Sequence, residues 1–289
     1  MIFPISFSIP RQFIVDAIPE KTKVLATCIP GKPDTYVFDT QDDYYADYRK
    51  SMFALTTVKG GWDCYRHYEI LANGCIPLFP ALETCPFLTM TTLPKQLILD
   101  ANTHISANPA SYQTYAEQLL AYTREHLTTR SAASRLLSYA GMSTARSVLF
   151  LSFSWPCGVD YLRCLTLHGL KEALGAECHD YPRVDHLYTD YTGDCNSLWG
   201  RGYGCSKLLD PSMRDDHRDS GIEDDIRNKR YDCIVYGSVH RGLPLWDLVR
   251  ASYASYEVIM MCGEDFHTKC LLSEFQNDGH PCFQREIPV

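Results

Sequence analysis

"VKGGWDCYRHYEILANGCIPLFP", residues 58–80, decides how the first half of the chain is to be read. Over 63–73 its apolar residues recur at helical spacing, with Tyr65, Tyr68, Leu71 and Ala72 on one side, and Gly74 stands where a left-handed cap would end a helix. The run "CIPLFP" after it predicts a strand, as does "FALTT" (53–57) before it. Strand, helix and strand in so short a span predict a βαβ unit with parallel strands. Arg66 and Glu69 interrupt the apolar pattern, three residues apart and so on a shared helix face, where a packed helix favours Leu or Ala.

The residues ahead of the helix suggest what that pair holds. Asp63 is a candidate N-cap, which points the first free N–H groups back into the loop. Gly60 and Gly61 admit a close ligand approach, and Lys59 adds a positive charge. A helix N-terminus so equipped is a candidate phosphate site. Arg66 would offer a fork of donors to a diphosphate, and Glu69 an acceptor pair for ribose hydroxyls. The competing reading is an Arg66–Glu69 ion pair that only decorates the helix.

Further out, "KVLATC" (23–28) predicts a strand, 42–51 a helix, "QLILD" (96–100) a strand and 108–141 one or two helices closing at Gly141. The pattern then restarts. "SVLFLSF" (147–153), "YDCIVYGSV" (231–239) and "EVIMMCGED" (257–265) are apolar runs of the buried parallel-strand type, with helices over 160–174, stopped by Gly175, and 243–253. Residues 186–222 have little periodicity and predict a long loop over a site or a disordered flap. The chain is therefore expected to be α/β, with two Rossmann-like parallel-sheet domains, 1–145 and 146–289, facing a ligand cleft.

Composition narrows the classes. The 289 residues are 45% hydrophobic and 21% charged, those of a folded chain, and the net charge of −8 offers no basic face to nucleic acid. "MIFPISFSIPRQF" lacks a basic residue before its apolar run and contains Pro4 and Pro10, so no signal peptide is expected, and no apolar stretch is long enough to span a membrane. The thirteen cysteines are odd in number, scattered and without a CxxC pair, which predicts reduced thiols, a cytoplasmic location and no zinc or other metal site.

The stretch "YRKSMFALTTVKGGWDCYRHYEILANGCIPLF" resembles the nucleotide-sugar signature of exostosin-like glycosyltransferases: Ser51, Phe53, Gly60, Arg66, Glu69 and the run Gly74, Cys75, Ile76, Pro77 fit it in order. "DYLRCLTLHGLKEALGAECHDYP", "YDCIVYGSVHRGLPL" and "CGEDFH" further resemble such enzymes from large viruses of algae (chlorella). The resemblance implies a GT-B-like pair of domains, a UDP-sugar donor such as UDP-xylose, a fucose-containing N-glycan as acceptor, and no cofactor or required metal. It places Arg66 on the diphosphate and Glu69 on the ribose, with Ser51 in the same donor signature. The donor signature comes first here, whereas the acceptor domain usually does, so the family gives no guide to the base.

Transfer with inversion needs a general base, sought just after the strands of the second half. Asp160 and His240 are the candidates, with a helix-capping Asp160 and a satisfied loop histidine as the plain alternatives. Trp155, His179, Asp180, Arg241, Glu264 and Asp265 are candidate acceptor contacts, His267 lies close behind, Trp199 is a further ring for a sugar face, and Trp246, on a helix, suits the core better. Two rival functions stand: an S-adenosylmethionine-dependent methyltransferase, for which "SWPCGVD" supplies too little glycine, and a non-catalytic glycan-binding protein.

Overall fold

Apolar runs that the sequence sets far apart form one parallel sheet in the computed structural model, which describes residues 2–153, 159–266 and 270–287. Its strands are β1 (Ile2–Pro4), β5 (Val148–Leu151), β6 (Cys178–Tyr181), β7 (Cys233–Tyr236), β8 (Val258–Cys262) and β9 (Cys282–Gln284), in the order β1-β9-β8-β7-β5-β6. A second parallel sheet, β2-β3-β4, joins β2 (Lys23–Leu25), β3 (Ser51–Leu55) and β4 (Ile76–Leu78). The molecule is thus α/β, with six-stranded and three-stranded parallel sheets of a kind compatible with Rossmann-like folds.

Strand alternation divides the large sheet's faces. Val148, Phe150, Val235, Ile259 and Met261 point into one core, shared with α5 (Thr129–Tyr139) and α6 (Tyr161–Leu174). Leu149, Leu151, Ile234, Tyr236, Val258 and Met260 point into the other, against α7 (Ile222–Arg227), α8 (Trp246–Ser252) and α9 (Leu272–Asn277). The first core does not stop at the large sheet. It runs on through α4 (Tyr112–His126), α3 (Lys95–Ala107) and α2 (Tyr65–Ala72) to the small sheet, whose far face packs on α1 (Gln41–Lys50). One continuous apolar mass therefore fixes the small sheet against the carboxyl ends of the large sheet's strands.

Two local expectations hold: Gly74 and Gly175 end α2 and α6 with φ of +63° and +59°. The helix expected over 42–51 is α1, which Thr40 caps by accepting from the Asp43 N–H at 3.1 Å. Others are corrected. Residues 96–100 lie in α3, because Ile98, Ala101 and Ile105 recur at helical, not strand, spacing and bury one helix face. The division at 145 does not follow the sheets, since β1 pairs with β9 and α5 packs on α6. Residues 186–222 form short 3-10 turns rather than a free flap, with Leu187, Tyr188, Cys205 and Leu209 in the core. Cys262 is joined to Cys270 by a disulfide, against the expectation of reduced thiols throughout. No helix among the described residues is long and apolar enough to cross a membrane.

Helices α5 and α6 pack closely, and Gly169 faces the Thr129 carbonyl so tightly that a Cβ would collide with backbone. Gly169→Ala is expected to lower the unfolding free energy by roughly 1–3 kcal/mol, read from urea denaturation midpoints.

Candidate functional site

A cavity of about 600 Å³ opens between the small sheet's helices and the carboxyl edge of the large sheet. It brings together Lys59, Gly60, Gly61, Asp63, Arg66 and Glu69 from the first unit with Asp265, Tyr161 and the 199–203 turn from the second. Most of the donor set chosen from sequence therefore lines one concavity.

Arg66 and Glu69 do not pair. Glu69 accepts from Tyr45 at 3.1 Å and from Tyr44 at 3.2 Å, while Arg66 donates one bond, from Nη2 to the Tyr36 hydroxyl at 2.8 Å. No ion pair joins the two side chains among the described residues. The Arg66 guanidinium, in a residue only 8% exposed, lies over the Tyr36 ring at 5.2 Å and leaves Nε and Nη1 buried without hydrogen-bond partners. Unpaired buried donors on a permanent cation are costly, and an anion in the cavity would relieve that cost. Burial pushes the Glu69 carboxyl up to about 7, against the pull of Arg66 and the two tyrosine hydroxyls.

The loop entering α2 is held from several sides. His67 lies between the Thr56 hydroxyl (Nδ1, 2.9 Å) and the Trp62 carbonyl (Nε2, 2.9 Å), and burial lowers its pKa to about 4, so it stays neutral. Asp63 is not the N-cap, a position that Cys64 occupies without a side-chain bond. The Asp63 carboxylate instead accepts from the Phe7 N–H at 2.8 Å and the Tyr68 hydroxyl at 2.9 Å, and burial raises its pKa to about 6. Partners distant in sequence outcompeted the local cap. Gly60 and Gly61 leave room less for a ligand than for carboxylates of the second unit: a Cβ on either would strike Asp265 or Glu286. Arg285 gathers those acids, bonding to Asp265, to Glu286 at 3.0 Å and to the Asp63 carbonyl.

The remaining candidates divide. Ser51 is buried, gives its hydroxyl to the Asp47 carbonyl at 2.6 Å and does not line the cavity. Trp155 and His267 fall outside the described residues. Trp199 stands on the cavity rim, 73% exposed, whereas Trp246 packs on Tyr236 with ring centroids 5.6 Å apart. His179 and Asp180 are not loop residues but part of edge strand β6, away from the cavity. His179 lies 2.9 Å from Asp219, and Asp180 accepts from Tyr188 at 2.6 Å and pairs with the buried Lys171 at 2.9 Å.

Asp160 and His240 form a second cluster beside the cavity and do not line it. Asp160 caps α6, accepting from the Arg163 N–H at 3.1 Å, and also takes bonds from Ser238 and, at 3.1 Å, from Arg241 Nε. Burial opposes its charge, yet Arg163, Ser238 and Arg241 together hold its pKa below the usual carboxylate range. So committed, it is a poor proton acceptor. His240 Nε2 lies 3.4 Å from Glu264 and 3.9 Å from Asp160, and burial lowers the ring's pKa, leaving it neutral at pH 7 and able to take a proton.

Sequence reasoning missed the aromatic wall. Tyr36, Phe38, Tyr44 and Tyr203 line the cavity, and Arg201 ties its turn to Phe38 and Asp39 at 3.1 Å each. The signal was present in the tyrosine-rich run 44–48, which helical polarity alone did not resolve.

Glu69 supplies a pH test. Its folded pKa of about 7 lies above the ordinary 4.5, so the folded state keeps a proton that the unfolded state loses in between. Stability is expected to fall as pH rises from about 4.5 to about 7, by roughly 3 kcal/mol from this group. Glu69→Gln should lose that part of the fall, measured as the difference between variant and parent in urea unfolding at pH 5 and pH 7.5.

No protein-family model matches the chain, and neither a curated protein nor a solved structure does.

Proposed function

We propose that the chain is a UDP-sugar-dependent glycosyltransferase of the exostosin-like kind, with a GT-B-like placement of its two units. The observation that carries the reading is Arg66: a buried guanidinium with two unpartnered nitrogens, facing a cavity of about 600 Å³ that also holds Lys59, Glu69 and a wall of tyrosines. A nucleoside diphosphate supplies what each group lacks. Its diphosphate would take the free donors of Arg66 and the charge of Lys59, its ribose hydroxyls would donate to Glu69, and its base would lie among the rings. Asp265 is an anion where a diphosphate would want none, but Arg285 already pairs with it.

Xylose as the transferred sugar and fucose of an N-glycan as the acceptor rest on the sequence resemblance. In a transfer with inversion, a base removes the acceptor hydroxyl's proton, the oxygen attacks the anomeric carbon, and UDP departs with the electrons of the broken C–O bond. Of the two base candidates, neutral His240 suits the role better than Asp160, whose carboxylate is bonded on every side the structure records. Trp199, exposed on the rim, would stack on the acceptor.

The test is a thermal-shift and titration series with UDP, UDP-xylose, UDP-glucose, GDP-fucose and S-adenosylmethionine. UDP at ~100 times its dissociation constant should stabilise the fold by about 2.7 kcal/mol. Arg66→Ala and Glu69→Gln should each weaken UDP by about 1.5–3 kcal/mol while remaining folded. A shift with S-adenosylmethionine alone, or UDP affinity indifferent to both substitutions, would overturn the proposal. Trp199→Ala should raise the acceptor KM and leave UDP affinity unchanged, read from initial rates and calorimetry.

A further inference from the structure

On the far side of Tyr68 from Asp63, a separate cavity of about 250 Å³ lies between the end of β1, the 91–92 segment, and helices α4 and α5. Its lining contains no Asp or Glu. Instead it presents donors. Arg135 enters from α5 and makes one hydrogen bond, from Nη1 to the His126 carbonyl at 2.8 Å, and no carboxylate pairs with it among the described residues. Ser6, 5% exposed, and Thr92 carry buried hydroxyls that make no well-aligned hydrogen bond; the Tyr68 oxygen, which gives its own proton to Asp63 at 2.9 Å, is the acceptor within their reach. Tyr122, Tyr139 and His126 complete the mouth, where the Glu125 carboxylate, its side chain 75% exposed, lies 3.7 Å from His126 Nε2.

We propose that this second cavity binds a small oxyanion, a phosphate or carboxylate group, held by Arg135 and by the Ser6 and Thr92 hydroxyls. A part-buried guanidinium with spare donors and no counter-charge gains most from a bidentate anion, and the two hydroxyls can donate to its remaining oxygens. Burial lowers the Arg135 pKa, against the opposing pull of Tyr68, Tyr139 and Tyr122. The volume accommodates an inorganic phosphate or a single sugar acid, and excludes a nucleotide. The site is independent of the nucleotide reading of the larger cavity, and stands or falls without it.

Calorimetric titration of the full chain with inorganic phosphate, and separately with glucuronate, tests it. Saturable binding with a dissociation constant of about 1 mM or tighter is expected for at least one of them, and which one binds identifies the source of the oxyanion. Read in the Arg66→Ala background, which removes phosphate held by the larger cavity, Arg135→Gln should weaken binding by at least about tenfold and Arg135→Lys by less, with a several-fold loss in Ser6→Ala. Indifference to both Arg135→Gln and Ser6→Ala in that background, or no saturation by either anion, would overturn the site. Should Arg135→Gln fail to fold by circular dichroism, Ser6→Ala and Thr92→Val decide, since each removes one hydroxyl assigned to the anion and leaves the guanidinium in place.

Discussion

A single fully buried guanidinium, that of Arg285, holds the two sheets in register with one another. It stands just past β9, lies over the Phe7 ring at 4.8 Å, and bonds to the carbonyls of Gly263 and Asp63 and to the carboxylates of Asp265 and Glu286. Glu286 in turn accepts the Asp63 N–H at 2.9 Å. The loop that leads into α2, and so the direction in which Arg66 points, depends on this knot. A buried cation surrounded by four oxygens is stable only when all of them stay in place, because losing one strands charge in a low-dielectric interior.

The same knot explains why the glycines before α2 are glycines. Across from Gly60 and Gly61 stand Asp265 and Glu286, and any side chain would separate the units. From sequence alone, two glycines beside a lysine read as room for a phosphate, since the residues that occupy the room lie some 200 positions away in the chain. Asp63 was misread for the same reason: an acid just before a helix is a cap by local rules, and only the fold reveals the Phe7 amide and Tyr68 hydroxyl that claim it.

What was legible in the sequence was periodic or chemically out of place. Gly74 and Gly175 marked helix ends, the runs at 147–153, 231–239 and 257–265 contained buried strands, and Arg66 and Glu69 betrayed a cavity by being polar at positions that should pack. Three-residue strands such as β1 and β9 carry too little pattern to be recognised, and they owe their existence to pairing. The short run 96–100 is apolar enough for either element, and the helix won because Ile98, Ala101 and Ile105 extend it onto a buried face. His179 and Asp180 looked like exposed loop chemistry until edge pairing with β5 drew them into a strand.

The order of the large sheet has a consequence for synthesis. Ile2 pairs with Cys282, so β1 is made long before β9, its sheet neighbour among the described residues. While the chain grows, the residues just after β1 can dock on α2 and α4, but the strand's own backbone groups lack their sheet partner. The small sheet and its helices are complete long before, yet the knot at Arg285 cannot form until β9 has arrived. Closure of the large sheet onto β1 therefore waits for β9, and is a late event rather than a gradual one.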